Sequence, residues 1–215
     1  MKRIIMLAIA ALSLFSCSNQ EEKNTHSLQA QNEVIQTILT RRSIRKYTEQ
    51  QISRALLDTV MKCAIYAPSG LNKQSWEIRV VQNPILLNKI NERFLEYAKG
   101  KKLQGSAARA NEPGFSVFHH APTLIIVGKD KSNPYSQLDI GFMSQNVLLS
   151  SHALGWGSCP VGTLVPVLNK PENADLLAPL NLPGTHDIAL TIALGYPDEN
   201  PIVQKRYAEK VKIIE

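Results

Sequence analysis

The chain has 215 residues, enough for one full-sized domain, or one domain with a tail. Its residues are 44% hydrophobic and 20% charged, a globular composition that excludes a disordered, collagenous or coiled-coil chain. The formal net charge of +6 includes Lys2 and Arg3 at the start, and the remainder is too small to require a nucleic-acid partner; three cysteines without zinc-ligand spacing exclude a disulfide-stapled miniprotein and a zinc module.

Lys2-Arg3 is a positive leader, and Ile4 to Phe15 is an apolar run too short to span a bilayer core of about 30 Å as a lasting anchor. It ends in Leu14-Phe15-Ser16-Cys17, with an aliphatic residue three before the cysteine and a small one just before it. This resembles a bacterial lipoprotein signal, with cleavage before Cys17 and acylation of its thiol and new amine. The competing reading is a buried hydrophobic helix with an incidental cysteine. Residues 17–31 are polar, with Leu28 the one large aliphatic residue, and read as a flexible tether. The expected organisation is a signal peptide over 1–16, the tether over 17–31 and a folded domain over 32–215. The expected address is extracytoplasmic, anchored to a membrane through lipidated Cys17.

In the domain, Val34, Ile35, Ile38 and Leu39 recur at helical spacing and predict a helix over 32–41. Ser53 is a candidate N-cap for a second helix, with Leu56, Leu57, Val60, Met61, Ala64 and Ile65 on its apolar face and Pro68 and Gly70 ending it. Trp76 to Gln82 alternates as a strand does, and Pro84 opens a helix to about Ala98. Residues 99–116 are basic and without period, so they read as a loop or lid. Pro122 to Gly128 is a β-branched run suited to a buried central strand. Leu138 to Leu154 reads as a core helix stopped by Gly155 and Gly157, and Asp187 to Gly195 as a second buried strand. From Pro201 the tail reads as extended or loosely helical. One α+β domain is expected.

Several short segments carry chemistry-bearing residues. Arg41-Arg42-Ser43-Ile44-Arg45-Lys46 offers guanidinium groups that grip phosphate bidentately and a serine that adds donors. Taken alone it reads equally well as a solvated basic turn at a helix C-terminus. Pro68-Ser-Gly-Leu-Asn-Lys-Gln74 joins a helix to a strand and offers backbone and amide groups to a planar ligand; a plain turn is its default reading. Gly155-Trp-Gly-Ser-Cys-Pro-Val-Gly162 lets backbone approach a ligand closely. No GxGxxG follows a strand, which disfavours a Rossmann site, and no GxSxG elbow supports a hydrolase. His119, His120 and His152 are uninformative singly, and Cys63 and Cys159 read as buried, inert thiols.

In order along the chain, these elements resemble the nitroreductase family of flavoproteins. The resemblance rests on Arg41-Arg-Ser-Ile-Arg45, on Ala67-Pro-Ser-Gly-Leu-Asn-Lys-Gln74, on Gly155 to Gly162 after the helix bearing Asp139-Ile-Gly141, and on Gly195-Tyr-Pro197 before a C-terminal Lys-Arg. It covers residues 33–212. It implies a mixed sheet wrapped by helices, an interlocked homodimer and two FMN sites at its interface. Arg41, Arg42 and Ser43, with Lys205 or Arg206, match the contacts to the FMN phosphate and ribityl chain. Arg45 matches a cation near flavin N1 and O2. Pro68, Ser69, Gly70 and Asn72 match the segment that the neighbouring subunit lays on the flavin. Pro160, Val161 and Gly162 match the backbone beside N5 and O4, although Val161 stands where many members have an acidic residue.

FMN carries a phosphate of nearly −2, and cations from two segments neutralise it. A cation near N1 stabilises the charge that two-electron reduction leaves there. Because the flavin performs the hydride chemistry, no catalytic acid, base, nucleophile or metal is expected from the protein. The implied activity is FMN-dependent transfer of hydride from NADH or NADPH, or another donor, to a nitroaromatic, quinone or similar planar acceptor by a ping-pong mechanism. The alternatives are a non-catalytic ligand-binding lipoprotein and a flavoenzyme of different chemistry, such as reductive dehalogenation. The latter would use cations such as Lys99, Lys101, Lys102 and Arg109 to recognise a substrate carboxylate.

Overall fold

The structure, a computed structural model, describes residues 32–215. The leader, Cys17 and the tether expected over 1–31 lie outside the described residues. The described residues fall into two units, 32–41 and 42–215. In the first, residues 32–40 form helix α1. The hydroxyls of Thr37 and Thr40 donate to the carbonyls four residues back, Glu33 and Gln36, at 2.9 and 2.6 Å.

The second unit is built on four strands: β1 (Trp76–Val81), β2 (Thr123–Asp130), β3 (Gly157–Pro160) and β4 (His186–Gly195). Their order is β1-β2-β4-β3, and each neighbouring pair is antiparallel. The parallel component expected of a mixed sheet is, among the described residues, a single bridge between Ser43 and Ser158. The β-branched run of β2 occupies the centre because both its faces are covered. Leu124 and Ile126 enter one core cluster, and Ile125 and Val127 enter the other. β2 continues two residues past Gly128, where the register with β4 shifts.

The helices are α2 (Arg54–Ile65), α3 (Pro84–Ala98), α4 (Ser136–Ala153), α5 (Val165–Leu168) and α6 (Ala174–Leu177). One face of the sheet packs α3, α5 and α6 through Leu87, Ile90, Phe94, Val167, Leu168 and Leu176. The other packs α2 and α4 through Leu57, Val60, Ala64, Ile140, Met143 and Val147. Each of these side chains larger than Ala64 contributes about 1.5–3 kcal/mol of transfer free energy when fully buried. α3 starts where the sequence places it: Asn83 accepts from the backbone N–H groups of Ile85 and Leu86 at 2.9 and 3.1 Å, and Pro84 has no N–H to lose. Ser53 sits at the α2 N-cap without a side-chain capping bond.

Three expectations change. The Gly155–Gly162 segment contains strand β3, and residues 99–116 contain a 3-10 turn, Gly105–Arg109. Cys63 is exposed, while Cys159 is buried as expected. The buried stripe of α2 is Leu57, Val60 and Ala64, and Cys63 lies one position off it.

Candidate functional site

The arginine-rich segment leaves α1 and becomes an extended strap laid along the sheet. Ser43 bridges Ser158 in parallel register, and the Ile44 N–H donates to the Ser158 carbonyl at 3.1 Å. Past this single bridge the strap passes to the exit of β4, where the Arg45 N–H meets the Glu199 carboxylate. The far end of the strap is held by the exit of β4. The Thr48 N–H donates to Tyr196, the Asp198 N–H donates to Lys46, and Lys46 pairs with Asp198 at 2.7 Å. Tyr47 is buried and its hydroxyl donates to the Ile44 carbonyl at 2.6 Å; burial pushes its phenol well above the usual range, so it stays a donor.

Close packing fixes where the strap lies. A Cβ on Gly157 would stand 2.8 Å from three side-chain carbons of Ile44. A Cβ on Gly195 would meet Pro122 Cδ at 2.8 Å and Tyr47 Cδ1 at 3.0 Å. Glycine is required at both by close approach, since neither has a positive φ. Gly195 is also where the strap, the exit of β4 and the entry to β2 converge.

Past β3, Val161 is fully engaged. Its N–H donates to the Thr191 carbonyl and its carbonyl accepts from the Thr191 hydroxyl, both at 2.7 Å, while its side chain is buried. Pro160 and Gly162 on either side are exposed, and a Cβ on Gly162 would meet nothing within 4 Å. The segment thus presents an apolar edge and an open backbone. The Ser158 hydroxyl is buried under the strap with no hydrogen-bond partner.

Two residues that the sequence did not single out act on Arg45 or feel its charge. The Glu199 carboxylate accepts from the Arg45 backbone N–H. His119 is half-buried, and burial and then the Arg45 charge hold its imidazole below the usual histidine range, with Glu199 acting in the opposite sense. His119 and His120 both have left-handed φ, +61° and +56°. Such a conformation costs roughly 1–2 kcal/mol per residue with a side chain. Their signals in the sequence were slight: Glu199 lies two residues after Tyr196-Pro197, and His119 just before Ala121-Pro122.

The Pro68–Asn72 segment lies elsewhere, in the turn between α2 and β1. Leu71, Asn72 and Gln74 all have left-handed φ, between 49° and 55°. The Ser69 hydroxyl accepts from the Gln74 N–H at 3.0 Å, and Asp139 on α4 accepts from the Gly70 N–H at 3.0 Å. The tail cations are exposed: Arg206 donates to the carbonyl of Gln204 at 2.9 Å, and Lys205 lies 5.1 Å from the Tyr207 ring centroid. Arg41 ends the first unit, with its N–H donating to Thr37, and Arg42 begins the second. The structure thus joins Ser43 to Ser158, two residues before Pro160, and Arg45 to Glu199, with Pro68–Asn72 and Lys205–Arg206 on separate segments.

The family model described as "Nitroreductase family" matches residues 38–196, from the end of α1 through the strap and all four strands to Tyr196. The chain belongs to the nitroreductase family. It is similar to a Methanothermobacter thermautotrophicus protein assigned as an NADH dehydrogenase/NAD(P)H nitroreductase, 32% identical over 79% of this chain and 80% of that relative. It is 25% identical to an iodotyrosine deiodinase of Thermotoga neapolitana over 74% of this chain and 86% of the relative. Among solved structures, a Bacteroides fragilis nitroreductase with bound FMN superposes with a TM-score of 0.76 at 29% identity, over 85% of this chain and 98% of that one.

The residues of this nitroreductase-family chain fit FMN. The Ser43 hydroxyl and the guanidinium of Arg45 provide the donors that a phosphorylated, carbonyl-rich ligand takes up. The exposed Pro160 and open Gly162 leave room for a planar ring where a Cβ at position 162 would otherwise project.

Proposed function

We propose that this protein is an FMN-dependent oxidoreductase of the nitroreductase type. It would take hydride from NADH or NADPH, or another donor, and pass it to a nitroaromatic, quinone or similar planar acceptor in a ping-pong cycle. The observation that carries this reading is the Ser43–Ser158 bridge, which joins the strap bearing Arg45 to the strand that leads into Pro160–Gly162, in a chain of this family. Arg41, Arg42 and Ser43, with Lys205 or Arg206, would hold the phosphate and ribityl chain. Arg45 would face N1 and O2, and Pro160–Gly162 would face N5 and O4. When bound, FMN supplies the hydride chemistry. The chain's own part is to bind and orient. Arg45 holds positive charge where negative charge accumulates, and the Val161–Thr191 clasp keeps the neighbouring backbone rigid.

The site is completed by a homodimer in this reading, with Pro68, Ser69, Gly70 and Asn72 of one subunit laid against the flavin of the other. Supporting it, α2 and α4 expose Ile65, Tyr66, Leu138 and Phe142, and a groove of about 630 Å³ runs between Tyr66 and Leu149. An apolar face of this kind marks an association surface. The purified protein is expected to be yellow and dimeric and to bleach under NADH or NADPH without oxygen. A colourless protein that rejects added FMN would overturn the assignment.

A second reading, reductive dehalogenation on the same flavin, is favoured by the deiodinase relative. Turnover of a halogenated tyrosine with halide release, set against turnover of a nitroaromatic, separates the two. The address is part of the proposal as well: signal cleavage before Cys17, acylation of that residue, and residues 18–31 as a leash reaching roughly 20 Å at about 5–6 Å × √n. Cys17→Ser should abolish labelling by a palmitate analogue and membrane fractionation while leaving FMN binding intact. Unlabelled, freely soluble wild-type protein would remove the lipoprotein assignment.

A further inference from the structure

The turn over Ser69–Gln74 is held against its own preference. Three of its residues with side chains, Leu71, Asn72 and Gln74, take left-handed φ, and Leu71 is 91% exposed, so its side chain packs on nothing that would enforce the shape. Among the described residues, most of its hydrogen bonds run within the turn: Asn72 N–H to Ser69 O, Lys73 N–H to Gly70 O, Gln74 N–H to the Ser69 hydroxyl, and Gln74 Nε2 to Asn72 Oδ1. Two reach other elements: the Trp76 N–H at the start of β1 donates to Gln74 O at 2.8 Å, and the Gly70 N–H donates to Asp139 Oδ1 on α4 at 3.0 Å.

Asp139 is a costly residue for that position unless the bond matters. It is 2% exposed in the first turn of α4, and its Oδ2 is buried with no hydrogen-bond partner. A carboxylate withdrawn from water with half its acceptors unused is unfavourable compared with an apolar side chain of similar size. The N-terminal end of α4 offsets part of that cost through its dipole. Among the described residues the Gly70 N–H is the one donor the carboxylate has, and the Tyr135 ring, one turn earlier, closes over the same glycine: a Cβ there would stand 3.7 Å from Tyr135 Cβ.

We propose that Asp139 is a positioning residue for the flavin site. It pins Gly70 to α4 and so keeps the strained Ser69–Gln74 turn in the one shape that presents Ser69, Gly70 and Asn72 to the cofactor. The inference rests on the proposed role of this turn in FMN binding. Asp139 touches no substrate and no cofactor; it acts through the Gly70 amide.

The test uses the full chain with two variants. Asp139→Ala removes the acceptor; Asp139→Asn keeps an oxygen in place to accept from Gly70. Two quantities are measured on each: the FMN dissociation constant by quenching of flavin fluorescence, and amide hydrogen exchange of residues 69–74 in the flavin-free protein, with β2 amides as an internal reference. The expected result for Asp139→Ala is at least a tenfold rise in the dissociation constant and faster exchange confined to the turn. Asp139→Asn should recover most of both. A residue that merely stabilised the fold would speed exchange in β2 as well and leave the affinity of the folded fraction unchanged. Wild-type affinity and exchange in Asp139→Ala, or an Asp139→Asn protein as impaired as Asp139→Ala, would overturn the proposal. Should Asp139→Ala not fold, Asp139→Asn decides by the same two measurements. If the wild-type chain takes up no FMN, the functional reading fails, while the exchange data still decide whether Asp139 holds the turn.

Discussion

Thr191 clasps Val161 from both sides: its carbonyl accepts from the Val161 N–H and its hydroxyl donates to the Val161 carbonyl, each at 2.7 Å. Thr191 is fully buried, so no water can take over either role. Thr191→Val keeps shape and volume but strands the Val161 carbonyl without its side-chain donor. An unsatisfied buried polar group costs about 1–3 kcal/mol. Urea unfolding of the flavin-free protein should lose stability in that range, and Thr191→Ser should restore most of it. An unchanged midpoint in Thr191→Val would mean the hydroxyl contributes nothing there.

Ser158 predicts the opposite sign. Its hydroxyl is buried without a partner, while its backbone carries the bridge to Ser43. Ser158→Ala removes a desolvated polar atom and leaves the bridge intact, so the flavin-free protein should be as stable as wild type or more stable, by on the order of 1 kcal/mol. A clear loss of thermal stability in this variant would reveal a bond to the Ser158 hydroxyl.

Gly157→Ala should lower stability by about 1–3 kcal/mol through overpacking. The added Cβ would lie 2.8 Å from Ile44 side-chain carbons, and Ile44 is buried in the core with no slack to retreat. Shortening Ile44 to alanine removes two of the three close carbons and leaves its Cβ, so Ile44→Ala combined with Gly157→Ala should cost less than the two single losses added together, without recovering the wild-type stability. Strict additivity in that double-mutant cycle would separate the two positions.

Charge-assisted contacts to phosphate are each worth about 1.5–3 kcal/mol. If Arg41 and Arg206 share the FMN phosphate as proposed, Arg41→Ala with Arg206→Ala should weaken FMN binding by several kcal/mol, read by flavin titration. Flavin held at wild-type affinity in the double variant would place the phosphate elsewhere.

His119 gives the protein a defined pH dependence. Burial first, then the Arg45 charge, with smaller contributions from His120 and Arg109, outweigh Glu199 and lower its folded value from the ordinary value near 6.5. Between the ordinary and the lowered value the unfolded chain binds more protons than the folded one, so stability rises with pH across that window. The contribution is whole above the ordinary histidine value and is lost as pH falls through the folded value. Unfolding midpoints taken from about pH 8 down to about pH 5 should fall more steeply for wild type than for His119→Gln. Parallel curves for the two proteins would show that another group carries the acid sensitivity.

The sequence by itself determined the elements whose signals are local. Pro84 announces α3 because a residue with fixed φ and no N–H loses nothing in the first turn of a helix, while the Asn83 cap shows only in the fold. The β-branched run from Thr123 announces β2, because an apolar stretch of that kind requires cover on both faces wherever it lies. The order of the family's segments was likewise legible, because it is a property of the chain and not of its packing. Tertiary structure alone decided the rest. Gly157-Ser-Cys-Pro160 has the composition of a loop and becomes β3 only because Gly195 to Ile192 lies opposite and the Ser43 strap closes the other side. Cys63 and Ala64 are adjacent and both suited to a core, yet one is exposed and the other buried, because the direction of α2 is set by α4 and the sheet. Thr191, Glu199 and His119 take their places beside Val161 and Arg45 by strand register and by a strained turn. Propensity acts over a few neighbouring residues, whereas register and close packing bring together residues far apart in the chain, and only the folded molecule holds that information.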